Sequence, residues 1–184
     1  WLSALVRGLV LVCAVFAAVA WPSRAQTGSA VSATGDDGQV LRLARPAARV
    51  VSLLPSLTES VCALGACARL VGVDRYSNEP ASVRVLPRLG GGLDPNIEAI
   101  VALRPDLVLL AGSTRGADRL RGLGVPVLQL EPRSHADARR ALVQIGRALG
   151  LPDAEAQAAW QRIDAGLDQV ARAWPAAARG LRVY

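Results

Sequence analysis

Few side chains in this sequence are equipped for covalent chemistry, and none has the partner it would need. A nucleophilic serine needs a base beside it, and the chain has one histidine, His135, far from every candidate serine loop. No GxSxG elbow, HExxH helix or GxxxxGK[ST] loop occurs. His135 alone, with no clustered carboxylates, makes no metal site. Gly90-Gly91-Gly92 does not lead directly from a strand into a helix, so it is not a phosphate cradle. It reads as a flexible turn, or as a place where absent side chains let a bulky ligand approach the backbone. Cys62 and Cys67, in CALGAC, are spaced wrongly for a redox CxxC or a zinc knuckle. They either bridge the end of a helix, with Gly65 turning the chain back, or stand as two small buried thiols. Glu98 sits among Ile97, Ile100 and Val101, and their spacing puts it on the outward side of a helix, where an acid is ordinarily just solvated. What remains is non-covalent binding by loops.

The elements that must carry those loops alternate regularly. Arg49 to Leu54 is a compact apolar run suited to a buried strand. Pro55-Ser56 breaks it, and Ser56 with Glu59 three residues on has the capping-box pattern for a helix ending at Gly65. Leu70 to Val73 is a second strand, followed by the polar loop Asp74 to Pro80. After the loop LPRLGGGL, Asp94 is placed to cap a helix with Pro95 at its first position. Leu107 to Leu110 is the third strand and Ala111-Gly112-Ser113-Thr114 the loop after it. A helix from about Arg115 to Leu123, a fourth strand Val125 to Leu130, and a helix from Ser134 to Leu149 closed by Gly150 complete the series. This β-α repeat predicts a four-stranded parallel sheet flanked by helices, an α/β lobe over residues 49–150. In such sheets ligands gather at the carboxyl ends of the strands. Here those ends lead into Pro55-Ser56, Asp74 to Asn78, and Ala111 to Thr114.

The flanks differ in kind. Leu9 to Ala20 is an apolar run preceded by Arg7 and followed by Ser23-Arg24-Ala25, the pattern of a secretory signal peptide spanning residues 1–25. The run falls short of the roughly 20 residues that span a bilayer; an uncleaved anchor is the alternative. Cys13 lies inside it and is not read as a lipidation site. Residues 26–48 read as a linker with a peripheral strand near Val40 to Leu43. Pro152 to Trp174 carries Trp160, Ile163, Leu167, Val170 and Trp174 at helical spacing, one amphipathic helix of about 34 Å within residues 151–175. Leu181 to Tyr184 resembles the start of another strand, so residues 176–184 read as the opening of a second lobe, and the sequence as a fragment without its original start. All 21 basic residues are arginine and the net charge is +6. The arginines are scattered, and aromatics are only 4%, too few to stack bases. Nucleic acid is therefore excluded as a partner.

Three stretches together resemble one family. SLLPSLTES, then GVDRYSNEP, then NIEAIVALRPDLV are similar to the periplasmic binding proteins for cobalamin and iron-siderophores, the helical-backbone type that feeds ABC importers. The similarity covers about Ala48 to Gly150, and the pattern V-x-R-Y-S followed by a proline leans towards the cobalamin branch. The resemblance implies two α/β lobes joined by a rigid helix, with the ligand between them. It implies a periplasmic, non-catalytic monomer without a cofactor, whose partners are a small molecule and an inner-membrane ABC permease. The transported ligand would be cobalamin or, as the alternative, a ferric siderophore or haem, for which Arg75, Tyr76 and Arg115 are suitable. An exported α/β enzyme is the reading from a different class. The ligand-binding residues implied are Pro55, Ser56, Tyr76, Gly91, Gly92, Ser113 and Thr114. Gly91 and Gly92 fall where the cobalamin branch carries a tryptophan. Glu98 matches a glutamate that docks on arginines of the permease.

Overall fold

The computed structural model describes residues 29–173. The expected signal peptide and the strand near Leu181 lie outside them, as does Trp174. Two strands come first, β1 (Val31–Thr34) and β2 (Val40–Leu43), paired antiparallel as a separate hairpin. Then follow β3 (Val50–Ser52), α1 (Pro55–Ala63), β4 (Leu70–Val73), α2 (Ile97–Ala102), β5 (Leu107–Leu110), α3 (Ala117–Gly122), β6 (Val127–Gln129), α4 (His135–Ala148) and α5 (Asp153–Ala173). The second sheet is entirely parallel, in the order β4-β3-β5-β6. The chain moves outward from β3 to β4 and then returns to the far side of β3 as β5. That reversal opens a crevice beyond the carboxyl ends of β3 and β5, where open α/β sheets take ligands.

The two-residue period of the strands sorts their side chains into two cores. Val50, Leu107, Leu109 and Leu128 face α1, α4 and the hairpin, among Leu57, Val61, Ile145 and Ala33. Val51, Val108, Leu110 and Val127 face α2 and α3, among Ile97, Ile100, Ala117 and Leu120. The result is three layers, helix–sheet–helix. The core is aliphatic, as the scarcity of aromatics requires.

Both edges of the parallel sheet are covered. Beyond β4, the segment around Arg88 adds a single parallel bridge to Val73. Beyond β6, the hairpin turn folds over the edge: the Asp36 N–H donates to the Gln129 carbonyl at 2.8 Å, and Asp37 accepts from Arg121 at 2.7 Å. Within the segment expected as a linker with one strand, the described residues 29–48 hold more than that. They bring a second strand and seal an edge that would otherwise invite pairing with another chain.

Two expected helix caps are corrected. Leu54, not Ser56, is the N-cap of α1, with Pro55 in the first turn and no side-chain cap bond. The proline removes one of the N–H groups that a cap would serve, and the Leu54 carbonyl accepts from Thr58 N at 3.0 Å. Asn96, not Asp94, caps α2, accepting from Ala99 N at 2.9 Å; Asp94 is engaged elsewhere. Ser134 caps α4 as expected, accepting from Asp137 N at 3.2 Å. Helix α5 packs its first half on α4 through Ala156, Ala159 and Trp160. Farther along it, Ile163, Leu167 and Val170 are exposed.

Candidate functional site

The loops after β3, β4 and β5 converge at the carboxyl end of the sheet, and a buried polar hub holds two of them. Asp74 directly follows β4 and is 1% exposed, a costly place for a carboxylate unless its oxygens find donors. They do: Oδ2 accepts from Tyr76 N at 2.9 Å and Oδ1 from the Ser77 hydroxyl. Ser77 Oγ also lies 2.9 Å from Thr58 Oγ1 on α1, which joins the β4 loop to the helix after β3. The Asp74 N–H donates to the Ser52 carbonyl at 2.9 Å. Arg88 closes the hub from below, donating to the Asp74 and Ser77 carbonyls. Every residue of this hub spends its polar groups inward, and Tyr76 is the side chain left over. It is 63% exposed.

The glycine run approaches that tyrosine. The Arg75 N–H donates to the Gly90 carbonyl at 2.7 Å, and the Arg75 guanidinium pairs with Asp94. Asp94 in turn accepts from Gly91 N at 3.1 Å, and its own N–H donates to the Gly91 carbonyl at 3.2 Å, closing a tight turn over residues 91–94. A Cβ on Gly91 would stand 3.4 Å from Tyr76 Cε2 and 3.0 Å from Asp94 Oδ1. A Cβ on Gly92 would stand 3.4 Å from Thr114 Oγ1, and the Gly92 carbonyl accepts from Arg115 N at 2.9 Å. So Tyr76, Gly91, Gly92 and Thr114 form one continuous rim. Thr114 is itself buried, 7% exposed, while Ser113 beside it is exposed. Pro55 and Ser56 stand at the start of α1, Ser56 exposed and Pro55 half-buried.

Leu93, at the third position of the glycine turn, was not among the residues expected here. It is 69% exposed and belongs to none of the apolar clusters. The signal available was a leucine directly after a glycine run in a loop, too short a pattern to assign a direction to its side chain.

Glu98 is exposed, as its spacing requires, and pairs with Arg119 of α3 at 2.9 Å. Such exposed pairs contribute little to stability. Cys62 and Cys67 are joined as a disulfide between the end of α1 and the short turn before β4. His135 is exposed at the start of α4, against the edge of Trp160, with ring centroids 4.5 Å apart. It stands on the side of α4 that meets α5, away from the rim. Among the described residues no group of three or more His, Cys, Asp or Glu is placed to hold a metal.

Comparison with known proteins agrees with this geometry. Residues 50–183 match a family model described as a periplasmic binding protein. Over 97 residues the chain is 39% identical to the vitamin B12-binding protein of Yersinia pestis (strain Pestoides F), covering 51% of this chain and 34% of the relative. The chain therefore spans about a third of the length of the curated relatives it matches. Its fold superposes on a periplasmic heme binding protein from Pseudomonas aeruginosa with a TM-score of 0.63 at 32% identity, covering 68% of this chain and 46% of that one. It superposes on the periplasmic vitamin B12 binding protein of Vibrio cholerae with a TM-score of 0.54 at 30% identity, covering 68% and 52%.

Proposed function

This chain belongs to the periplasmic binding protein family, and on that premise we propose that it is the first lobe of an exported solute-binding protein that hands a cobalamin-like molecule to an ABC importer. The observation that carries the reading is the rim itself. Three strand-end loops meet at the crevice of the sheet and present Tyr76 over a glycine floor, while the polar groups beneath are consumed in holding them. A preorganised face of that kind binds without having to order its own loops first. On this reading the rim binds and does not catalyse, in line with the periplasmic binding protein family model that the chain matches. The identity to a vitamin B12-binding protein supports a corrin as the ligand.

Haem is the second reading, supported by the similarity to the Pseudomonas aeruginosa protein. A ferric siderophore, an anionic chelate, fits less well because Arg75 is already engaged by Asp94. Pro55, Ser56 and Ser113 belong to the same face. Isothermal titration of the full-length protein with cyanocobalamin, haemin and a ferric siderophore tests the assignment. Saturable binding of cyanocobalamin, tighter than of the other two, is the expected result; binding of none of them contradicts the reading.

Glu98 serves the second partner. It stands at the second position of α2, outside the rim, with a carboxylate free to accept a bidentate guanidinium from the permease once Arg119 yields. Glu98→Arg is expected to keep ligand affinity and stop transport. Unchanged uptake in cells carrying that substitution would remove Glu98 from the docking surface. The N-terminal run 1–25 acts as the signal for export, and residues 151–175 as the helix that links this lobe to its partner lobe.

A further inference from the structure

The fold gathers arginines that are scattered in the sequence. Arg49 directly precedes β3, Arg69 directly precedes β4 and Arg104 stands just ahead of β5, which puts them at the amino end of adjacent strands. Parallel strands lie about 4.8 Å apart, so the three form a row about 10 Å long. Arg42, near the end of β2, lines a hollow with Gly124 to Pro126 ahead of β6, and Arg45 lies just past β2. Arg49 Nε donates to the Arg104 carbonyl at 3.3 Å and Arg69 to the Ala47 carbonyl at 2.9 Å, which ties the row together.

On other faces arginines meet carboxylates: Arg75 with Asp94, Arg119 with Glu98, Arg140 with Asp36. Among the described residues none of Arg42, Arg45, Arg49, Arg69 and Arg104 does. The acids at this end are already engaged. Asp106 accepts from Ala48 N and Arg49 N, Asp153 is held by Arg147, and Glu155 sits in the first turn of α5, where the helix dipole favours it. Arg49 and Arg69 also donate to the Leu103 and Leu149 carbonyls at the ends of α2 and α4, the ordinary structural use of a cation there. Arg42, Arg45 and Arg104 are exposed, and their charge faces water uncancelled. Arg104 is the one non-glycine among the described residues with a positive φ, 47°, a conformation that glycine takes up without steric strain.

We propose that the amino end of the sheet is an electrostatic contact for anionic phospholipid headgroups, which holds the lobe at a membrane surface by the pole opposite the ligand rim. The choice of a lipid rests on the reading of an exported protein that meets a permease in the membrane. Guanidinium forks match phosphate oxygens, and a row of them without carboxylate partners needs no pocket to engage a flat anionic surface. Each arginine near such a surface adds to the attraction, and salt weakens it.

The test is co-sedimentation of the full-length protein with vesicles of phosphatidylcholine, alone or mixed with phosphatidylglycerol, at low and high salt. Residues 1–25 are removed first, because their apolar run would itself enter a bilayer. One variant combines Arg42→Gln, Arg45→Gln and Arg104→Gly. A second combines Arg133→Gln, Arg139→Gln and Arg172→Gln, which takes the same charge from other exposed positions. Glycine relieves the strain at position 104, so the first variant is expected to melt no lower than the wild type. The wild type should bind the phosphatidylglycerol vesicles at low salt, the first variant about a hundredfold more weakly, and the second as the wild type does. A wild type that treats the two kinds of vesicle alike, or equal losses in both variants, overturns the contact. Binding to a DNA duplex without binding to the vesicles overturns it too. Titration with cyanocobalamin runs in parallel. Ligand binding without vesicle binding removes the contact and leaves the reading of the protein standing; vesicle binding without ligand binding does the reverse.

Discussion

The two ends of the parallel sheet are built from similar parts and put to opposite uses. At the amino end, charged side chains turn inward onto the backbone. Asp106 accepts from Ala48 N and, at 2.8 Å, from Arg49 N; Arg49 donates to the Leu103 carbonyl at 2.7 Å; Arg69 donates to the Ala47 and Leu149 carbonyls. The disulfide lies at this end too. At the carboxyl end the same inward bonding occurs one layer down, through Asp74, Ser77, Thr58 and Arg88. Above that layer Tyr76, Leu93 and Ser113 are left projecting. On the proposed reading the difference separates a lock from a seat: both ends are fixed, and among the described residues the carboxyl end is the one that leaves Tyr76, Leu93 and Ser113 exposed.

That contrast makes an ordered set of expectations. Asp74→Ala strands the donors of Ser77 and Tyr76 in a buried hub, at about 1–3 kcal/mol of stability. It should also weaken ligand binding at least tenfold, since Tyr76 loses its anchor. Asp106→Ala is expected to cost stability of similar size and leave affinity untouched. Chemical denaturation paired with ligand titration reads both; loss of affinity in Asp106→Ala would erase the distinction between the ends. Replacing both cysteines with alanine opens a short loop at the amino end and is expected to cost about 2 kcal/mol. Affinity should not move, and a melting curve beside a titration checks it.

The smallest effect lies at the junction of α4 and α5. Arg147 donates to Asp153 at 2.6 and 2.9 Å, and this holds the Asp153 carboxyl below the ordinary carboxylate range. A group whose pKa is depressed in the folded state stabilises it above the unfolded value, and that contribution fades as pH falls through the folded value. The pair is well exposed and screened by water, so the contribution is small. Asp153→Asn should lower the melting temperature slightly at neutral pH and leave it unchanged at pH below the carboxylate range. An equal deficit at both pH values would show that the pair does not clamp the helices.

Much of this fold is legible in the sequence. Leu70–Val73 and Leu107–Leu110 are the expected strands to the residue, because continuous apolar runs between turn residues leave a buried parallel strand little choice of boundary. The caps were less legible. Ser56 and Asp94 have the right chemistry, but Pro55 and Asn96 occupy the deciding positions, and Asp94 is drawn away by Arg75. Strand β1 was missed because Val31–Thr34 has only a weak alternation, and its pairing with β2 supplies what the sequence pattern lacks. Of the site, the loops were legible from the rule that ligands sit at strand carboxyl ends. The hub was not, because Asp74, Ser77, Thr58 and Arg88 are distant in sequence and meet only through the fold. Glu98 was placed outward by the period of its helix; its pairing with Arg119 depends on the packing of α2 beside α3.

Amide hydrogen exchange of the full-length protein, with and without saturating cyanocobalamin, tests most directly that the carboxyl end is the seat. Protection is expected to rise at Tyr76, at Gly91 to Leu93 and at Ser113 to Arg115, with Arg104 to Asp106 unchanged. Protection confined to the amino end, or bound ligand that leaves the three loops exchanging as before, would contradict it.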